Sequence, residues 1–403
     1  MPIATGVAKS VRIKAESAWG TAAGTSGGQV LRRTSSDLAL VKDAYSSAEV
    51  RSDYQVVDYR HGVRRIEGSI SGQLSPGTYA TPMAAAVRRA FAAVSAITGL
   101  GITITGSAAP YTIARASGSW LTDGVKVGMV GRFTAGSLAA GNLNKNILVT
   151  AVTASNITGV PLGGLTLTAE GPIASCTFTP TGKVTFIPST GHTDASFSIE
   201  HWHADIAQSE LYTGCKIDSM DLNLPPTGMA TVGFAVLGKD VTTGTSVYYT
   251  SPTAETSTGL VAAVNGALYL GGSAVALLTG LTINLKGSMS GEAVVGSNTF
   301  ADITEGNVEV SGQMTVLFQD AVARDYFINE TEVSLVAVLT TSGAAAADFV
   351  SFVLPRIKVG GASNDDGIKG LTRTMPFVAL RNTSGGTGIS SEDTTFWIQD
   401  SQA

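Results

Sequence analysis

Apolar and polar residues alternate through most of the chain, in short runs that end at Gly, Pro, Asn or Thr. A period of two sends successive side chains to opposite faces of a strand, so the pattern predicts a mainly β protein of half-buried strands. In one run Ile66, Gly68, Ile70, Gly72 and Leu74 share a face, and Glu67, Ser69, Ser71 and Gln73 share the other. In a second, Val308, Val310, Gly312, Met314 and Val316 oppose Asn307, Glu309, Ser311, Gln313 and Thr315. A slip of one residue would exchange the faces, so burial of one face sets the register. Two segments break the pattern and read as helices. The first opens at Thr81-Pro82, a hydroxyl cap followed by Pro in the first turn, and runs through Phe91; the second opens at Asp320 and covers Ala321 to Asn329.

The helices occupy equivalent places in a repeat. Ser71-Gly72-Gln73-Leu74 precedes the first and Ser311-Gly312-Gln313-Met314 the second. Further on, Thr231-Val232-Gly233-Phe234-Ala235-Val236-Leu237 matches Thr374-Met375-Pro376-Phe377-Val378-Ala379-Leu380. Ser71 and Ser311 are 240 positions apart, but Thr231 and Thr374 only 143, so the first copy carries about 97 extra residues between Gln73 and Thr231. The Thr-, Gly- and Ala-rich stretch from Gly99 to Thr181 is the natural insertion, a small β domain in the loop after the first helix.

Composition changes the picture in one respect. Only 14% of residues are charged, in a chain long enough for two or three modules. So neutral a surface suits a protein that ends up covered by neighbouring subunits. The net charge of −5 excludes a sequence-independent nucleic-acid grip, which needs clustered Lys and Arg. Cys176 and Cys215 are too few and too far apart for a disulfide framework, and Met1-Pro2-Ile3-Ala4 has no basic-then-apolar leader, so folding in a cytoplasm is expected. The uncharged stretch between Glu255 and Lys286 is cut by Asn265-Gly266 and Gly271-Gly272 into hairpin-sized pieces, which argues against a membrane span. Against this background the ten charged residues from Lys42 to Glu67 stand out. Glu49, Arg51, Asp53, Asp58, Arg60 and Arg64 make this loop a candidate contact arm between subunits or rings, where mixed charges set register and partner choice. A solvated loop is the other reading.

Candidate chemistry is thin. Gly233 and Gly238-Lys239 have the spacing of a phosphate loop, but Asp240 stands where a magnesium-binding Ser or Thr belongs. His201, His203 and Asp205 alternate along one predicted strand and could offer metal ligands, yet no fourth partner is in view and an interface role is preferred. The one Gly-x-Ser-x-Gly string, Gly24-Thr25-Ser26-Gly27-Gly28, opens no helix and so makes no nucleophile elbow. No enzyme, cofactor or metal is expected.

Several stretches resemble the major tail tube proteins of siphoviruses, bacteriophages with long non-contractile tails. They are Arg12-Ile13-Lys14-Ala15-Glu16-Ser17-Ala18-Trp19-Gly20-Thr21, Leu31-Arg32-Arg33-Thr34-Ser35-Ser36-Asp37-Leu38, Arg51-Ser52-Asp53-Tyr54-Gln55-Val56-Val57-Asp58 and Gly68-Ser69-Ile70-Ser71-Gly72-Gln73-Leu74-Ser75-Pro76-Gly77-Thr78-Tyr79. The resemblance implies duplicated β-sandwich or half-barrel units, each with a flanking α-helix, plus the inserted β domain on the outer surface. On this division the first unit comprises residues 1–98 and 182–240, the insertion 99–181, a connecting β segment 241–280 and the second unit 281–403. It further implies a virion subunit, assembled in the host bacterial cytoplasm, that polymerises into stacked rings of three chains with approximate sixfold symmetry or of six. Tape measure, tail terminator and distal tail proteins are its implied partners. Viral DNA would pass through the lumen without tight binding, and the polar faces carrying Glu67, Ser69, Ser71, Gln73, Asn307, Glu309, Ser311 and Gln313 would line that lumen or form an ordinary solvated sheet. Competing readings are a terminator or baseplate ring, and a carbohydrate-binding surface protein, although aromatic clusters are sparse in 99–181.

Overall fold

A computed structural model describes residues 3–275, 277–319, 322–366, 368 and 370–403. The protein is mainly β, and the alternating runs pair antiparallel in one long series. Ala39–Ser46 pairs with Tyr59–Gln73, followed by Thr231–Gly238, Gln208–Leu224, Leu278–Lys286, Glu309–Leu317, Thr372–Ala379 and Phe349–Val359.

Strand neighbours repeat within this series. Tyr59–Gln73, helix α1 (Ala80–Ala86), Phe197–His203, Gln208–Leu224 and Thr231–Gly238 form one set. Glu309–Leu317, helix α2 (Val322–Ile328), Val333–Thr340, Phe349–Val359 and Thr372–Ala379 form the other. In each set the first strand pairs with the last, the last with the one before it, and that one with its predecessor. Ser71 stands opposite Gly233, and Ser311 opposite Val378. Aligning the two short motifs would put Ser311 opposite Pro376; the observed register is two residues away, a shift that keeps every side chain on its face. The glycine shared by the two motifs has a steric reason. A Cβ on Gly72 would lie 1.7 Å from the Tyr79 hydroxyl, and one on Gly312 would lie 2.2 Å from the Thr282 carbonyl and 2.4 Å from the Phe377 ring.

Helix α1 is shorter than the sequence pattern predicts. It starts at Ala80, one residue before the expected Thr81 cap, and makes no side-chain capping bond. It ends at Ala86 because Arg88 turns left-handed, with φ of 60°. The Ala92–Ala93 segment then pairs with Lys183–Phe186 as a strand. Asp320 and Ala321, where the second helix was expected to open, lie outside the described residues, as do Met1 and Pro2.

Residues 97–180 form a separate closed barrel of six strands: Ile97–Thr105, Tyr111–Arg115, Val130–Ala135, Ile147–Val152, Asn156–Pro161 and Glu170–Pro180. Trp120, Tyr111, Phe133 and Phe178 fill it and are fully buried. The barrel core continues into Val336, Val338, Phe349, Val353 and Trp397, so the barrel packs on the side of these strands turned away from the main core. That explains why Val333–Thr340 and the first half of Phe349–Val359, through Leu354, are almost continuously apolar, since both of their faces are covered there. The C-terminal strand Trp397–Asp400 lies between Lys183–Phe186 and Phe349–Val359 and stitches the two sets together. From it, Gln399 reaches the barrel: Val130 N–H donates to its Oε1 at 2.8 Å, and its Nε2 donates to the carbonyls of Val130 at 2.8 Å and Thr181 at 2.7 Å.

Candidate functional site

The strand series has one apolar face and one polar face. Ile66, Ile70, Val232, Phe234, Met220, Leu222, Ile283, Leu285, Val310, Met314, Met375 and Phe377 are all buried in one core. The intervening residues turn the other way and line up across strands. One row runs Ser35, Ser71, Gly233, Asp221, Asn284, Ser311, Val378 and Lys358, one residue from each neighbouring strand. The next row holds Gln73, Thr231, Asn223, Thr282, Gln313 and Pro376.

This surface therefore gathers Ser69, Ser71 and Gln73 with Glu309, Ser311 and Gln313 on one continuous sheet. Glu67 lies at its margin, opposite Leu237, and Asn307 lies in the connection before its strand. Short neutral side chains dominate, and the charges are mixed. The carboxylate of Glu67 is held by Arg65 Nε at 2.5 Å, and Glu309 stands opposite Lys286. Asp221 reaches solvent, but the surrounding sheet desolvates its carboxyl and raises its pKa. The sequence pattern singled out the faces of two strands; Asp221, Asn223, Asn284 and Lys286 complete the surface. Their signal was present as alternation in 219–224 and 281–286, but only strand pairing puts them beside the rest.

The expected contact arm is the hairpin of Ala39–Ser46 and Tyr59–Gln73 with its tip at residues 47–58. Its charges largely pair among themselves. Arg51 meets Asp53 at 3.2 Å and Glu49 at 4.0 Å, Arg60 meets Asp58 at 2.9 Å, and Arg64 reaches back to Asp240 at 2.6 Å. The exposed pairs at the tip contribute little, so they hold the hairpin's local shape at most. What projects unpaired is apolar: Val50 is 102% exposed, Tyr54 97% and Val56 70%, with Tyr45, Val57 and Tyr59 also exposed. Their signal is present in the sequence beside the charges: Val50, Tyr54, Val56 and Val57 fall within residues 47–58, and Tyr45 and Tyr59 flank them.

His201, His203 and Asp205 do not converge. His201 is buried, with Nε2 at 2.8 Å from Ser36 Oγ, and burial together with Lys9, His203 and Arg33 lowers its pKa to about 3. Asp205 lies in the turn after the strand and accepts hydrogen bonds from the N–H and hydroxyl of Thr5. Among the described residues no group of three or more His, Cys, Asp or Glu side chains is placed to hold a metal ion. Gly233 and Gly238 belong to a strand, and Lys239 packs its ammonium 4.6 Å from the Trp19 ring. Cys176 and Cys215 are buried free thiols. No described helix is long and apolar enough to cross a membrane.

A family model described as phage tail tube protein matches residues 6–379. No curated protein matches the chain.

Proposed function

The chain belongs to the phage tail tube protein family, and from that premise we propose that it is the repeating subunit of a hollow tail tube, a structural part of the virion with no catalytic role. Each chain supplies two tube units, residues 1–98 with 182–240 and residues 281–403, joined through 241–280. Three chains close into a ring of approximate sixfold symmetry, and rings stack into the conduit through which the genome passes. The observation that carries this reading is the single antiparallel sheet with a repeated strand order, one buried face and one mainly polar face.

The polar face lines the lumen. Its Ser, Thr, Asn and Gln side chains and charges of mixed sign present neither a basic track that would hold phosphate nor an apolar surface that would stack bases. The barrel, seated on the opposite side, faces outward and decorates the tube wall. The hairpin at 39–73 reaches a neighbouring subunit or ring and buries Val50, Tyr54 and Val56 there; the high exposure of three such side chains suits a surface covered on assembly. The particle is a siphovirus with a long non-contractile tail, on the strength of the Arg12–Thr21 and Gly68–Tyr79 stretches. Tape measure protein, tail terminator and distal tail protein are its partners at the lumen and at the tube ends.

Electron microscopy of the purified protein tests this directly. Hollow filaments whose end views show three chains and six units per ring are expected. A protein that remains monomeric at every concentration, or that stops at a single ring as a terminator would, overturns the reading.

A further inference from the structure

The junction between the two units inside one chain is a template for the junction between chains; this inference rests on the tube reading and adds the strand register. Inside the chain, the C-terminal half of Gln208–Leu224 carries Thr231–Gly238 on one side and Leu278–Lys286 on the other. The counterpart in the second unit, the end of Phe349–Val359 continuing to Ser363–Asn364, carries Thr372–Ala379 on one side. Among the described residues no strand pairs with 358–364 on the other. The counterpart of Leu278–Lys286 is the segment leading from Ser35–Ser36 into Ala39–Ser46, and among the described residues these two strands pair with Tyr59–Gln73 alone. The chain thus ends in two open antiparallel edges, each equivalent to one partner of a junction that it already makes internally. A second copy of this chain is the occupant that fits both.

The register follows from the repeat. Asp221 connects through Gly233 to Ser71, and Lys358 connects through Val378 to Ser311, so Asp221 and Lys358 hold equivalent places. Asn284 stands beside Ser311 and Ser35 beside Ser71, which makes those two equivalent as well. Since Asp221 pairs with Asn284 within the chain, we propose that Lys358 of one chain stands opposite Ser35 of the next, with Gly360 opposite Arg33. Two local features bound the contact at this point. Val333 already occupies the far side of Ile357, and the Ser36 carbonyl is taken by Lys9 Nζ at 2.8 Å. Pairing therefore starts at Lys358 and Ser35 and runs away from both obstructions. An unpaired edge of this kind is a template for strand addition.

Cysteine cross-linking between separately purified chains reads the register. Lys358→Cys in one chain and Ser35→Cys in another are mixed, assembled, oxidised and run without reductant; Gly360→Cys with Arg33→Cys forms an independent second pair. Opposed residues lie about 5 Å apart at Cβ, whereas Ala362→Cys with Ser35→Cys is displaced by four residues, or about 13 Å. Cys176 and Cys215 are buried and silent. Inter-chain dimers in assembled tubes at several-fold the yield of the displaced pair, from either matched pair, support the register. Tubes in which neither matched pair links, or in which the displaced pair links as well, overturn it while leaving the tube reading intact. If the unaltered chain never assembles, the tube reading falls and the register with it.

Discussion

Gln399→Leu isolates what holds the barrel to the tube unit. The side chain is fully buried, and its one carboxamide serves the N–H and C=O of Val130 and the C=O of Thr181. Leucine is close in volume, so the change leaves little cavity and removes mainly hydrogen bonds. The Val130 carbonyl keeps a donor in the N–H of Thr181, at 3.0 Å, but the buried Val130 N–H loses the Gln399 oxygen. A buried donor left unpaired costs about 1–3 kcal/mol, and the two weakened carbonyls add to it, for a total of about 2–4 kcal/mol. The loss should fall on the seat of the barrel. Trp397 lies at that seat and Trp120 inside the barrel, so tryptophan fluorescence reports on both in a urea titration of the monomer. We expect a lower midpoint and faster proteolysis at the barrel's connections, near residues 93–97 and 180–183. A variant within about 0.5 kcal/mol of the parent, the range of an inconsequential surface change, would refute the assignment of Gln399 as the latch.

Three further outcomes are expected. Because His201 has a folded pKa near 3 against 6.5 unperturbed, the stability linked to it is complete above pH 6.5 and is lost as pH falls towards 3, at about 1.4 kcal/mol per pH unit; the Glu210 carboxylate, 3.8 Å from Nδ1, favours the proton but is half exposed and is outweighed. Thermal unfolding across that window should be steeper for the parent than for His201→Gln, and equal slopes would count against the buried neutral ring. Gly312→Ala should cost about 3 kcal/mol or more, because its Cβ meets a backbone carbonyl that cannot step aside, and a denaturant midpoint close to the parent's would contradict this. Replacing Val50, Tyr54 and Val56 together by Ser should leave the monomer's unfolding curve unchanged within about 0.5 kcal/mol, since all three are exposed, yet abolish filaments in electron micrographs; filaments of normal length would show that the arm is not a contact.

The assignment of strand faces was legible in advance because alternation is local: the two Ser-Gly-Gln runs declare their buried side without reference to any other part of the chain. The helix ends were less so. Thr81-Pro82 reads as a start, but the stop at Ala86 is set by a left-handed Arg88, whose side chain reaches the carbonyls of Gly287 and Gly306 far along the chain. The arm's charges are conspicuous because charge is rare in this sequence, yet they pair nearby while the apolar residues between them project.

From its order of residues alone the chain determines that it is β, which face of each strand is polar, and that a four-residue motif recurs ahead of two helices. These are properties of a few consecutive residues, governed by the geometry of one strand. Tertiary structure decides which strands lie side by side, and so that Asp221 and Asn284 share a row with Ser71 and Ser311, that Gln399 reaches Val130, and that the barrel rests on the other unit's sheet. Hydrogen bonds between strands join backbones, which carry no record of sequence, so only the packing of the whole core selects the partner.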